Sequence, residues 1–192
     1  MNRPRTRSFE QFVRTLVEHF NKFRVIYGIT GAVAASYYGV PRTTVDADFV
    51  INISPRERER FFKSLAEIEV KADLPRIRRQ LKSGYTVVRV SDRLSPHRAD
   101  LILNKEIIER RRGTVMGVAA YFQSPESLIL AKLRMIKATL PRERSFKDRE
   151  DIRQILANTK VRKKSLLRLA QEQGTGSILT ELINWRTVRA SH

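Results

Sequence analysis

Asp46, Asp48 and Asp100 are the residues whose type and spacing point to chemistry. Between Val45 and Ile53, the residues Val45, Ala47, Phe49, Ile51 and Ile53 alternate with Asp46, Asp48, Val50 and Asn52. Side chains on a strand repeat every second residue, so both carboxylates leave one face, with Cα atoms roughly 6.5–7 Å apart. Acids are depleted in strands and like charges on one face repel, so a compensating cation is expected. A divalent ion with oxygen ligands, Mg²⁺, is the economical choice. Between Arg98 and Leu103, Asp100 again sets a carboxylate on one face of an apolar strand. Alone it reads as an exposed aspartate paired with Arg98 or Arg89; beside Asp46 and Asp48 it reads as a third ligand. Three such carboxylates could bind one or two divalent ions for in-line displacement at a triphosphate. Asp100 would then take the attacking hydroxyl's proton, while Lys132 and Arg42 would stabilise phosphate charge.

These side chains need a corner to hold them. Residues 24–27 predict a short strand, Gly28-Ile29-Thr30-Gly31 a turn, and 32–38 a small-residue helix. Glycines between a strand and a helix let backbone N–H groups approach a phosphate, and they equally suit tight helix–strand packing. In the loop that follows, Pro41 keeps Val40 extended. Arg42 there either meets a triphosphate or clamps Asp46.

The remaining elements follow from periodicity. Ser8 and Gln11 match a capping box ahead of the stripe Phe9, Phe12, Val13, Leu16, Val17 and Phe20. His19 lies beside that stripe as a partly covered surface histidine. Ser54-Pro55-Arg56-Glu57 reads as a second capping box, with Phe61, Phe62, Leu65 and Ile68 inward. Residues 77–81 suit a short helix, 85–90 and 98–103 two strands, and 114–122 one or two more around Gly117. Beyond residue 123 the pattern is helical. Ser124-Pro125-Glu126 opens a helix with Leu128, Ala131, Met135 and Ala138 on one face, Lys132 snorkelling beside them, and Pro141 at its end. A helix over 147–156 carries Asp148 and Asp151 in its first turn, where acids suit the dipole. Residues 160–173 are basic and stop at Gly174, and a last helix over about 178–185 ends on Trp185, a packing anchor with base stacking as the alternative. The expected organisation is α+β: a strand-rich core over 1–123, and a helical C-terminal region over 124–192 packing on it.

Composition narrows the partners. The 192 residues are 41% hydrophobic, enough for a real core, and hold no cysteine, which excludes disulfides and thiol chemistry. Charges interrupt every long apolar segment, so no membrane span or secretory signal is expected and a cytoplasmic location is the plain reading. The basic start, residues 1–7, reads as a flexible arm. Thirty-eight Lys and Arg against twenty Asp and Glu give a net charge of +18. That excess attracts polyanions, with nucleic acid the leading class and a merely solvated surface the alternative.

The runs TGAVAASYYGVPRTTVDADFVI, RADLIL, SPESLILAKLRM and KDREDI resemble the minimal nucleotidyltransferases of the polymerase-β superfamily. The resemblance covers about residues 25–157 and points to the AbiEii/MenT-like toxins and their archaeal and bacterial relatives. It implies a nucleotidyltransferase-like mixed β-sheet flanked by helices. It further implies Mg²⁺ (two ions, with Mn²⁺ able to substitute) and transfer of a nucleoside monophosphate from an NTP with release of pyrophosphate. Carried over by motif, the phosphate-binding turn falls on Thr30 and Gly31, the metal pair on Asp46 and Asp48, and the third carboxylate on Asp100. The helix lysine falls on Lys132 and a further acid on Asp148. Arg42 joins the nucleotide contacts. The turn departs from the usual Gly-Gly or Gly-Ser, because Thr30 precedes Gly31, and basic residues crowd the loop between Leu133 and Lys147. Three functions compete: transfer to RNA, a tRNA 3′ end in the toxin branch, with an antitoxin partner; transfer to a protein hydroxyl or small molecule; and a binding module without chemistry.

Overall fold

The computed structural model describes residues 6–139 and 143–189, with 143–144 and 185–189 described by backbone only. The start of the expected basic arm, the stop at Pro141 and the packing of Trp185 lie outside the described residues. Among the described residues, no helix is long and apolar enough to cross a membrane.

The elements run α1 (Phe9–Lys22), β1 (Ile26–Thr30), α2 (Gly31–Tyr37), β2 (Asp46–Asn52), α3 (Pro55–Ser64), β3 (Val70–Lys71), α4 (Leu74–Lys82), β4 (Val87–Asp92), β5 (Arg98–Leu103), β6 (Arg110–Val115) and β7 (Val118–Gln123). Four helices follow: α5 (Pro125–Thr139), α6 (Glu143–Asn158), α7 (Lys163–Glu172) and α8 (Gly176–Arg189). The chain divides into two compact units, residues 1–33 with 43–123, and residues 34–42 with 124–192.

The first unit is built on a seven-stranded sheet in the order β3-β4-β5-β2-β1-β7-β6. β2 pairs with β5 and β1 with β7 in parallel; the other pairings are antiparallel, so the sheet is mixed and the fold is α+β. One face is apolar. Phe20 of α1 packs edge-on against Phe49 and Tyr27, with ring centroids 5.1 and 5.3 Å away, and meets Phe61 of α3 at 5.6 Å. Each fully buried ring of this kind contributes about 1.5–3 kcal/mol over exposure. The Ser8 capping box forms as expected: Ser8 Oγ accepts from Gln11 N–H at 3.2 Å, and Gln11 Oε1 accepts from Ser8 N–H at 2.9 Å.

In the second unit, Leu128, Ile129, Leu133 and Ile136 of α5 are buried, together with Ile152 and Ile155 of α6, Leu166 and Ala170 of α7, and Leu179 and Leu182 of α8. Gly174 follows α7 at φ +65, a left-handed turn suited to glycine. The loop after α2 is tied to α6: Asn158 Nδ2 donates to the Gly39 carbonyl at 3.0 Å, and Thr159 Oγ1 to the Tyr38 carbonyl at 3.3 Å.

Several local expectations need correction. The first strand starts at Ile26 and runs through Gly28 to Thr30, because Arg24 sits at φ 56 just past α1. The α5 face is Leu128, Ile129, Lys132, Leu133 and Ile136; Ala131 and Met135 are only half-buried and Ala138 is exposed. Ser54 makes no backbone cap, since its hydroxyl donates to the Glu57 carboxylate at 2.6 Å instead. α6 begins at Glu143, so Asp148 and Asp151 lie past its first turn and the helix dipole does not explain them. His19 is 3% exposed and shares a 2.9 Å hydrogen bond with Ser64 Oγ.

Candidate active site

Register decides where the carboxylates go. On the parallel β2–β5 pair, Asp48 stands opposite Asp100 and Asp46 opposite Arg98. β1 sets Thr30 opposite Asp48, and β4 sets Arg89 opposite Asp100. Partners in register share a face, and neighbouring strands lie about 4.8 Å apart. Thr30, Asp48, Asp100 and Arg89 therefore form one row across four strands, with Asp46 two residues along β2 on the same side. The opposite face at these positions is the apolar core: Ala47, Phe49, Val88, Val90, Ala99 and Leu101 are buried.

The row is hydrogen-bonded at both ends. Arg89 binds Asp100 with two parallel bonds, Nε to Oδ1 at 2.8 Å and Nη2 to Oδ2 at 2.7 Å. Those bonds, then the Asp100 charge, and then Asp46 and Asp48 further off, hold the Arg89 guanidinium above its ordinary pKa. At the other end the Thr30 hydroxyl donates to Gln123 Oε1 at 2.5 Å. Thr44 anchors the start of β2 by accepting from Asp46 N–H at 3.2 Å and donating to the Asp46 carbonyl at 2.8 Å. The left-handed conformation falls on Gly31, at φ +63, rather than on Thr30. A Cβ at Gly31 would collide with the Asp48 carboxylate, so this glycine lets the helix start lie against the acid.

The donor chemistry suits a hard divalent cation: carboxylate oxygens from adjacent strands on one face, already drawing a guanidinium. The sheet brings the three acids to a common face but not to a common point. Asp100 is turned to Arg89, and the described residues contain no group of three or more His, Cys, Asp or Glu side chains placed to hold an ion.

The second unit carries its own ionic cluster. Lys132 is 7% exposed and donates to Asp148 Oδ1 at 2.8 Å and to Asp151 Oδ2 at 2.6 Å. Asp151 also accepts from Arg42 Nη1 at 2.7 Å. Lys132 is thus a buried ion-pair residue and not a snorkelling one, and Arg42, for which a clamp on Asp46 is one of the two sequence readings, pairs with Asp151. Buried charges of this kind persist only when paired and hydrogen-bonded.

Several solved structures share this architecture. One, an antigenic nucleotidyltransferase-like protein from Paracoccidioides brasiliensis, is 18% identical, with 95% of this chain and 90% of that one covered at a TM-score of 0.67. This chain has a nucleotidyltransferase fold. Two further structures with that fold are ANT(2")-Ia in complex with adenylyl-2"-tobramycin and the lincosamide antibiotic adenylyltransferase LnuA with lincomycin bound. Each is 13% identical to this chain. The TM-scores are 0.62 and 0.51, over 85% and 80% of this chain and 97% and 99% of theirs. No protein-family profile and no curated protein sequence matches the chain.

Of the residues singled out from sequence, Asp46, Asp48, Asp100, Thr30 and Gly31 gather on the sheet unit, and Lys132, Asp148 and Arg42 gather on the helical unit. Gln123, Thr44 and Asp151 were missed as partners. Asp151 had a signal: spaced three residues from Asp148, it shares that residue's helix face. Gln123 had none, because its role depends on β7 lying beside β1.

Proposed function

We propose that the protein transfers a nucleoside monophosphate from an NTP to an acceptor hydroxyl, with an RNA 3′ end, such as that of tRNA, as acceptor. The observation carrying this reading is the register that sets Asp48 opposite Asp100 with Asp46 beside them. The fold supports it, since one neighbour sharing it is a lincosamide antibiotic adenylyltransferase and another holds adenylyl-2"-tobramycin. In the reaction the acceptor oxygen attacks the α-phosphorus, a new P–O bond forms, and the bond to the departing pyrophosphate breaks. The acceptor proton passes to Asp100.

Asp46, Asp48 and Asp100 would hold Mg²⁺, with Mn²⁺ as a substitute. Bound there, the ion would neutralise triphosphate charge and make the acceptor hydroxyl more acidic. Arg89 keeps Asp100 oriented on the open face until substrate or cation engages it. Thr30 and Gly31 form the corner that the resemblance gives to the nucleotide phosphates, with Gln123 fixing the Thr30 hydroxyl. In the helical unit, Asp151 holds Arg42 and, with Asp148, pairs Lys132.

The test is label transfer. Protein, Mg²⁺, each α-labelled NTP and total tRNA are incubated together, and products are separated into RNA, protein and small-molecule fractions. Label is expected in RNA and is expected to drop at least about a hundredfold in folded Asp48→Ala. Label confined to protein would replace the acceptor, and undiminished transfer by Asp48→Ala would remove the carboxylates from the mechanism.

A further inference from the structure

On the β3–β4 side of the carboxylate row lies a cleft of about 360 Å³. Its lining includes Lys71, Arg76, Arg89 and Arg98, with Asp73 the one acid. Asp73 is engaged locally, where its carboxylate accepts from Arg76 N–H at 3.0 Å and caps α4. Sheet pairing explains the grouping. Lys71 stands opposite Ser91, Ser91 opposite Arg98, and Arg98 opposite Asp46, so these residues form a second row parallel to the first and on the same face. Arg76 overhangs that row from α4. Among the described residues, the side chains of Lys71, Arg76 and Arg98 have no carboxylate partner. All three are exposed.

Concentrating unpaired cations beside an acidic centre costs self-repulsion, which a polyanion relieves. A cationic acceptor would be repelled here, whereas each backbone phosphate of a nucleic acid strand would gain a partner. We propose that this cleft is the acceptor-strand site: Lys71, Arg76 and Arg98 bind phosphates near the 3′ end of a single-stranded RNA and deliver its terminal hydroxyl to the Asp46–Asp48–Asp100 face. The inference rests on the transferase reading above and names its acceptor class and the residues that choose it. Arg89 belongs to the first row and also lines the cleft. It holds Asp100 in the absence of RNA and lies at the mouth that a phosphate would enter.

Binding can be measured without catalysis. Fluorescence anisotropy of a labelled single-stranded RNA of about 12 nucleotides is followed against wild type, the triple variant Lys71→Ala/Arg76→Ala/Arg98→Ala, and a control pair on α7, Lys164→Ala/Arg168→Ala. The triple variant is expected to bind roughly tenfold or more weakly at fixed salt. The slope of log affinity against log salt should flatten by about 2, at about 0.7 per lost phosphate contact. The control pair should bind like wild type. Equal RNA affinity in the triple variant, or an equal loss in the control pair, overturns the proposal. Circular dichroism of the triple variant identifies any loss caused by unfolding; in that case the single variant Lys71→Gln, on the edge strand, supplies the same comparison with a slope change of about 0.7. If the triple variant loses RNA binding while wild type transfers no label, the strand site stands and the transferase reading fails.

Discussion

Gly31 and Asp48 show how one residue's shape decides another's use. The positive φ and the crowding carboxylate make position 31 a glycine for two independent reasons, and both serve to keep Asp48 against the start of α2. Asp100 is less simply placed: its face is the one the alternation predicts, but its oxygens are taken by Arg89. That pairing was among the sequence alternatives for Asp100, and alternation alone could not choose, because side-chain direction along a strand says nothing about which strand lies next to it. His19 was read too near the surface for the same reason, since the α1 stripe does not reveal that α3 delivers Ser64 to it. Burial, then the Lys22 charge, lowers the His19 pKa below 6.5 against an opposing pull from Glu67. The unfolded chain therefore binds a proton that the folded chain resists, so this contribution is complete above pH 6.5 and is lost as pH falls below it. The urea midpoint should drop between about pH 7.5 and 5.5, and His19→Gln should flatten that dependence. An unchanged slope in the variant would show that other groups set it.

At the scale of elements, alternation and capping were legible, and pairing was not. β5 was bounded correctly from Arg98 to Leu103, because every second residue there is apolar and the strand is buried on one side. α5 was misjudged because its apolar residues are dense enough to fit more than one stripe, and only α6 selects the face holding Lys132. The consequence is a lysine locked between Asp148 and Asp151. Removing one member of a buried pair leaves uncompensated charge, so Lys132→Met should cost about 3–5 kcal/mol. That corresponds to a fall in thermal midpoint on the order of 10 °C for a chain of this size. Adding Asp151→Asn should restore part of the loss. Thermal unfolding followed by circular dichroism measures both, and a midpoint unmoved by Lys132→Met would mean that the cluster contributes no stability.

For the whole molecule, the mixed sheet and helical region agree with the α+β expectation and with the nucleotidyltransferase fold. The excess of positive charge, +18, could be read from composition, but its concentration beside the acidic row could not. Lys71, Arg76, Arg89 and Arg98 are scattered over 28 positions of sequence and meet only through β3, β4, β5 and α4. The central claim is that Asp46, Asp48 and Asp100 act together on one cation. Mn²⁺ binding, followed by electron paramagnetic resonance with a non-hydrolysable NTP present, tests it most directly. Wild type should bind Mn²⁺, and Asp48→Ala and Asp100→Asn should each weaken that binding roughly tenfold or more while remaining folded. Mn²⁺ affinity equal in all three proteins would contradict the account.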